Sequence, residues 1–273
     1  FLPMIGIAVF IYLLIKLDIS KILNEILNAD FRFLGSALLF VFISWNVSTF
    51  KWFIIARKQK IGVPFFYAFK INLISIFYGF VTPSRIGSIL RVEYLKRFSD
   101  GKTGKGISNY LIEKIIDVSS LLFLVLVSSF FVKEKFRTNY TYYEIFSIVT
   151  IFIVVFIFRD EERSKNILRF FYFKFLPKKI KETARDGFHS FYENIPDRKY
   201  FILFFLINIL NWIILYLTLY FVGLAVGIDA SFLHYILFMP IVTFIGQIPI
   251  TIGGLGTREA AMISLFGLLG IGA

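Results

Sequence analysis

The chain has 273 residues, is 58% hydrophobic and contains 36 Phe and 14 Tyr, with a mean hydropathy of +0.76. No soluble domain of that length needs so much apolar surface, so the sequence reads as an all-α, polytopic helical membrane protein. The net charge of +12 then marks cytoplasmic loops and contact with anionic headgroups rather than nucleic acid, and the lack of cysteine excludes disulfides, Cys-based zinc sites and thiol nucleophiles.

Phe1 to Leu17 reads as the visible part of a first span; no small-residue cleavage site follows it, which disfavours a signal sequence. The chain starts at Phe1 and its last stretch, Leu265 to Ala273, is still apolar, so both ends are expected to be truncated. Ile19, Ile22, Leu23, Ile26 and Leu27 recur at helical spacing among charges, which predicts a short amphipathic helix on the membrane surface. Phe33 to Phe50 is uncharged and long enough, with its flanks, to cross, with Trp45 and Trp52 as candidate interfacial anchors. Lys51, Arg57, Lys58 and Lys60 follow and assign that end to the cytoplasm.

The next stretch is the one around which the chain is organised. An uncharged run, Ile71 to Ser84, leads into Thr82-Pro83, where proline should stop the helix because it has no N–H and restricts its predecessor. Arg85, Gly87 and Arg91 follow within ten residues. Both flanks are basic, so residues 65–97 are expected to form a re-entrant hairpin that leaves on the side it came from. Broken backbone at lipid depth is tolerated only where protein or a watery cavity receives its polar groups, which points to a site.

Gly101 to Gly106 is expected to be a loop; it lacks the Gly-Lys-Ser/Thr ending and preceding strand of a phosphate loop. Ile107 to Phe131 is the next span and carries Glu113, Lys114 and Asp117, with the two acids four apart on one helix face. A short basic loop, Val132 to Tyr142, precedes a return span at Ile145 to Phe158. Residues 159–199 hold eleven Lys/Arg and seven Asp/Glu and read as a cytoplasmic amphipathic linker. Tyr200 to Ile228 crosses again, interrupted by Asn208 and Asn211. A second uncharged run, His234 to Ile252, is interrupted by Pro240 and Gly246 and ends in a glycine-rich turn before an apolar helix, Ala260 to Leu269.

The two broken stretches match. Both read Pro-x-x-Ile-Gly, at Pro83 to Gly87 and Pro249 to Gly253; both have a glycine three or four residues upstream and an arginine eight or nine residues after the proline. By the charge rule the first opens to the cytoplasm and the second to the outside. Paired Gly/Pro-interrupted segments in corresponding halves point to an inverted repeat with a substrate site between them. The expected layout is a single transmembrane domain over 1–273. Its first half is 31–131 with hairpin 65–97, its linker 159–199, and its second half 200–273 with hairpin 232–270.

Thr82 to Arg91, the Glu113/Asp117 pair, and Pro-Ile-Thr-Ile-Gly-Gly-Leu-Gly-Thr-Arg-Glu-Ala-Ala over 249–261 resemble the lysylphosphatidylglycerol synthase transmembrane region, or flippase-like, family. The resemblance covers nearly the whole chain and is most specific at Gly253, Gly254, Gly256, Arg258 and Glu259. The first motif departs from the family's pattern: Ser84 stands where glycine usually follows the proline, and Ser88 where an acid is expected. What the resemblance implies is movement of an aminoacylated or other anionic phospholipid, or of a polyprenyl-phosphate-linked lipid, between leaflets of the cell membrane. A transport role is expected rather than an enzymatic one, and the soluble aminoacyl-transferase domain of larger members is not in this chain.

Charged side chains inside spans tend to face a cavity or each other. Arg85, Arg91 and Arg258 are the candidates for a lipid phosphate, because guanidinium pairs with phosphate in a fork and keeps its charge. Helix N-termini after Pro83 and Pro249 would add backbone donors. Glu113, Asp117 and Glu259 either hold those arginines or receive a cationic headgroup; an ion-pair network with no ligand is the plainer reading of the same residues. Lys114 reads as a snorkelling or pairing residue, and Ser84 and Thr257 as helix caps rather than nucleophiles. His189 and His234 lack a second metal ligand at useful spacing, so neither a metal nor a cofactor is expected. The expected partners are membrane lipids, with a transferase as a further candidate and no nucleic acid. Two other classes stay open: a membrane-embedded transferase with Glu113 or Asp117 as base, and a membrane subunit or scaffold for a lipid-modifying or glycosyl transferase.

Overall fold

The computed structural model describes residues 19–99, 103–136, 193–248 and 254–271, and these form helices joined by short turns with no strand among them. The expected first span at 1–17, the return span at 145–158, most of the 159–199 linker with His189, and Pro249 and Gly253 lie outside the described residues.

Helix α1, Ile19–Leu27, is the expected short amphipathic element and leaves Leu23, Ile26 and Leu27 exposed. Helix α2, Phe31–Lys58, starts where the Asp30 carboxylate accepts from the Arg32 amide at 2.8 Å, and it ends with Arg57 and Lys58 in its last turn, where cations suit the helix dipole. Lys60 then turns left-handed at φ 58°, and the Ile61 amide reaches back to the Ala56 carbonyl at 2.9 Å, a Schellman closure built on a lysine instead of glycine. Helix α3, Phe65–Phe80, follows. The chain continues as a 3₁₀ segment, Pro83–Leu90, a short helix α4, Arg91–Leu95, and a last 3₁₀ turn, Lys96–Phe98. Then come α5, Thr103–Phe136, α6, Arg198–Ala225, α7, Phe232–Gln247, and α8, Thr257–Gly267.

Three of these helices are long and apolar enough to cross a membrane: Phe31–Lys58, Thr103–Val132 and Lys199–Ala225. At 1.5 Å per residue, helices of this length reach roughly 40 Å, more than the hydrocarbon thickness. α2 and α6 run antiparallel in close contact, from Asp30 N–H on the Ala225 carbonyl at 2.8 Å, through stacked Phe40 and Phe221 at 5.3 Å, to Ser44 Oγ on Asn211 Oδ1 at 3.1 Å. α5 lies parallel to α6, with Ile112 and Ile116 against Phe204 and with Leu121 and Val125 near Trp212 and Tyr216.

The two shorter apolar helices, α3 and α7, each have 16 residues, and after each the chain doubles back on it. In the first, Ser75 Oγ donates to the Ser88 carbonyl at 2.9 Å, and Tyr67 meets Phe98 with ring centroids 5.6 Å apart. Thr82 pins this turn: its hydroxyl donates to the Tyr78 carbonyl at 2.7 Å and accepts from the Gly87 amide at 2.8 Å. A Cβ on Gly87 would collide with the Tyr78 carbonyl and lie 2.8 Å from Thr82 Oγ1, so only glycine lets the returning strand of chain come this close. In the second, Tyr235 and Phe238 meet Phe266 at 4.9 and 5.4 Å, and a Cβ on Gly254, at φ +82°, would lie 2.7 Å from the Gly246 carbonyl. The first hairpin begins and ends beside the C-terminal end of α2, where the Gly62 amide meets the Phe98 carbonyl at 3.4 Å. The second begins beside the C-terminal end of α6, where Tyr220 meets Phe232 and Tyr235, each at 5.6 Å.

Three expectations need correction. The loop over Gly101 to Gly106 is too long: α5 starts at Thr103, so Gly104 to Gly106 are helical. Trp52 is no interfacial anchor, because it is wholly buried and its indole N–H donates to Asn109. Pro240 does not interrupt its helix, which runs on to Gln247.

Candidate functional site

At the foot of the first hairpin lies a network of charges inside the bundle. Arg91 on α4, Lys51 on α2 and Glu113 on α5 are 4%, 2% and 7% exposed. The Arg91 Nη1 donates to Glu113 Oε2, and Lys51 Nζ stands 3.4 Å from Glu113 Oε1, so one carboxylate serves two cations. Arg91 Nε also donates to Ser75 Oγ at 3.0 Å, and its guanidinium lies 5.6 Å from the Trp52 ring and 6.0 Å from that of Tyr110. Burying three charges is unfavourable unless each is paired and hydrogen-bonded, and here the partners come from every surrounding helix.

Asn208 on α6 extends the network. Its side-chain carbonyl accepts from Lys51 Nζ at 2.6 Å, while its amide donates to Ser120 and, at 3.3 Å, to Asp117 Oδ1. Glu113 and Asp117, on one face of α5, are thus joined through Lys51 and Asn208. A second polar layer lies toward the C-terminal end of α2. There Asn109 Nδ2 donates to Gln59 Oε1 at 2.9 Å, and Gln59 Nε2 donates to Ser108 Oγ and the Asn194 carbonyl, each at 3.0 Å.

Lys51 is where the charge rule misleads. Its position after an uncharged run reads as a cytoplasmic flank, yet it is an interior residue in the middle of α2's C-terminal half. The signal that would have found it is the set of polar residues at helical spacing along α2, Ser44, Ser48 and Lys51, continued by Gln59 at its C-cap, opposite Asn208 and Asn211. Asn72, Ser75 and Asn109 were not singled out by the sequence either. Asn72 donates to Thr49 Oγ1 at 3.0 Å and so ties α3 to α2.

Gly87, Gly254, Gly256 and Glu259 lie at or next to the helix breaks. Pro83 opens the 3₁₀ segment and Arg85 lies within it. Lys114 lies over the Tyr110 ring at 5.6 Å. Gly256 precedes α8, and its amide donates to Glu259 Oε2 at 2.6 Å, an acid placed at the positive end of the helix dipole. Thr257 Oγ1 donates to the Gly254 carbonyl at 3.0 Å, which closes the turn into α8. Arg258 packs on Gly246, and among the described residues no carboxylate lies within ion-pair distance of it. Ser128 Oγ on α5 reaches the Ile236 carbonyl at 3.4 Å. Gln247 lies eleven residues after Ile236 and Asp117 eleven before Ser128, and α7 runs against α5, so the break after α7 comes to about the depth of Asp117. Among the described residues no three His, Cys, Asp or Glu side chains group as a metal site.

The fold and this network define a polytopic helical membrane protein with a charged interior and two helices that break and double back. The chain belongs to the lysylphosphatidylglycerol synthase TM region family, whose model matches residues 3–273. It is similar to a UPF0104 membrane protein of Methanothermobacter thermautotrophicus, at 23% identity over 98% of this chain and 82% of that protein. A second protein so described from that organism is 21% identical over 99% of this chain and 85% of its own length. The UPF0104 membrane protein MJ1595 of Methanocaldococcus jannaschii is 23% identical over 93% of this chain and 80% of that protein. No solved structure matches.

Proposed function

We propose that this protein moves an anionic or aminoacylated phospholipid, or a polyprenyl-phosphate-linked lipid, between the leaflets of the cell membrane. In this reading the two doubled-back helices are re-entrant hairpins of an inverted repeat. Their equal first arms, their glycine close approaches and their mouths at opposite ends of the bundle support it. The observation that carries the proposal is an arginine on the returning arm of each hairpin, in a bundle otherwise built to meet lipid. Arg91 is fixed by Glu113, Ser75 and two aromatic rings, with hydrogen bonds from Nε and Nη1 and none from Nη2 among the described residues. Arg258 has no carboxylate partner among them and stands at the N-terminus of α8, where backbone amides face the break.

The main barrier to crossing is desolvation of the headgroup's negative charge. A fixed guanidinium at mid-depth offsets part of that barrier and takes a phosphate through two parallel N–H donors. Glu113 is engaged on both oxygens by Lys51 and Arg91, which counts against it as the base of a transferase. The test is Arg258→Gln in proteoliposomes carrying labelled phosphatidylglycerol. Arg258 holds no ion pair among the described residues, so the variant should unfold at the wild-type temperature while transfer falls at least ten-fold, and Arg258→Lys should keep only part of the rate. Undiminished transfer by a stable Arg258→Gln variant would remove the phosphate-binding role.

A further inference from the structure

The outer end of the first hairpin carries a feature that the buried network does not use. A cleft of about 550 Å³ opens between Glu93, Tyr94, Lys96 and Arg97. Lys96 Nζ stands 3.7 Å from Glu93 Oε1 with both side chains in solvent, a pair too long and too wet to satisfy either charge. Arg97 is exposed and makes no ion pair among the described residues. The same end of the hairpin presents bare aromatic rings: Phe66 is 82% exposed, Tyr67 55% and Tyr94 40%. Tyr67 packs on Phe98, directly after Arg97 in the chain, which brings the start of α3 against the 3₁₀ turn that holds these cations. Tyrosine and cations side by side at the end of a helical hairpin are the makeup of a headgroup layer, where rings lie among the upper acyl carbons and cations meet phosphate.

We propose that this cleft binds the headgroup of an anionic phospholipid from the leaflet at that end of the bundle. Arg97 and Lys96 take the phosphodiester, and the acyl chains run down the exposed face of α3 that begins at Phe66. The site is distinct from Arg91 and Arg258, and it stands whether or not the protein transfers lipid. Glu93 is the one acid in the cleft, and its negative charge near the two cations sets the affinity below what they alone would give.

The probes are dioctanoyl phosphatidylglycerol, dioctanoyl phosphatidylcholine and glycerol 1-phosphate, added to the detergent-solubilised full chain and counted as bound adducts by native mass spectrometry. Phosphatidylglycerol should bind tightest, and Lys96→Gln with Arg97→Gln should weaken it about thirty-fold, from roughly 1 kcal/mol per basic residue at an anionic surface. Arg57→Gln with Lys60→Gln removes the same charge at the same end of the bundle and should change binding less than two-fold. Glu93→Gln should tighten binding. All of these side chains are at the surface, so the variants should unfold at the wild-type temperature. An equal loss in the Arg57/Lys60 pair would reduce the effect to general charge, and weaker binding by Glu93→Gln would show that the cleft is no anion site. Either result overturns the proposal. Glycerol 1-phosphate binding as tightly as phosphatidylglycerol would overturn the assignment to lipid.

Discussion

Replacing Glu113 by glutamine should destabilise this protein more than replacing either of its cationic partners. Lys51 and Arg91 share one carboxylate, so Glu113→Gln leaves two buried cations with no anion in contact. Lys51→Met leaves the Arg91–Glu113 pair intact and strands only the Asn208 carbonyl oxygen. Arg91→Gln leaves Lys51 and Glu113 at 3.4 Å. Removing one partner of a buried pair costs about 3–5 kcal/mol, and Glu113→Gln should fall at the upper end. Lys51→Met should cost about 1–2 kcal/mol, the penalty for one unsatisfied buried acceptor. At roughly 2–4 °C per kcal/mol for chains of this size, these become about 10–20 °C and about 2–8 °C. Thermal unfolding in detergent, read by tryptophan fluorescence, measures both. A diagnostic sign accompanies the order: adding Lys51→Met to Glu113→Gln removes one stranded cation, so the double variant should be more stable than Glu113→Gln alone. If Glu113→Gln melts with Lys51→Met, or if the double variant is the least stable, the shared-carboxylate account is wrong.

The hairpin geometry makes two further predictions. Cysteines placed singly at Lys70 and Arg97, on a chain that has none of its own, should label from the same side of the membrane; labelling from opposite sides would make this stretch a span and end the repeat argument. Gly87→Ala should cost about 1–3 kcal/mol, because its methyl group meets the Tyr78 carbonyl and the Thr82 hydroxyl, whereas Gly35→Ala, with nothing within 4 Å, should be neutral or slightly stabilising. Equal thermal shifts in the two alanine variants would refute the close-approach reading.

The helices were legible because a long uncharged run admits no other structure in a membrane, and the helix break at Thr82-Pro83 because proline's chemistry is local. The pairing of Arg91 with Glu113 was within reach of the sequence only as one of several options. Twenty-two residues separate them, and nothing local chooses between an ion pair and a ligand. Lys51 was misplaced for a different reason. Loop-charge counting treats every lysine at the end of an apolar run as wet, and that fails where a helix continues past it, as α2 does to Lys58. Asn208 stood out only as an interruption in an apolar run. Its role as acceptor from Lys51 and donor to Ser120 and Asp117 depends on three helices meeting, which no single segment encodes.

The two arginines show how far a repeated motif carries an argument. Arg91 and Arg258 follow their prolines by eight and nine residues, and both follow a glycine that lets the chain double back tightly. In both, a glycine, Gly87 or Gly254, takes the closest approach of the returning chain. The surroundings are not repeated. Arg91 meets Glu113, Ser75, Trp52 and Tyr110, whereas the second hairpin is held by Tyr235, Phe238 and Phe266, and Arg258 lies against the bare backbone of Gly246. An ion-paired foot resists sliding, because any shift separates charges in a medium that screens them poorly, while aromatic packing lets rings shift at small cost per contact. Matched positions in the two hairpins therefore differ in setting: Arg91 is tied to Glu113 and Ser75, while among the described residues no carboxylate lies beside Arg258.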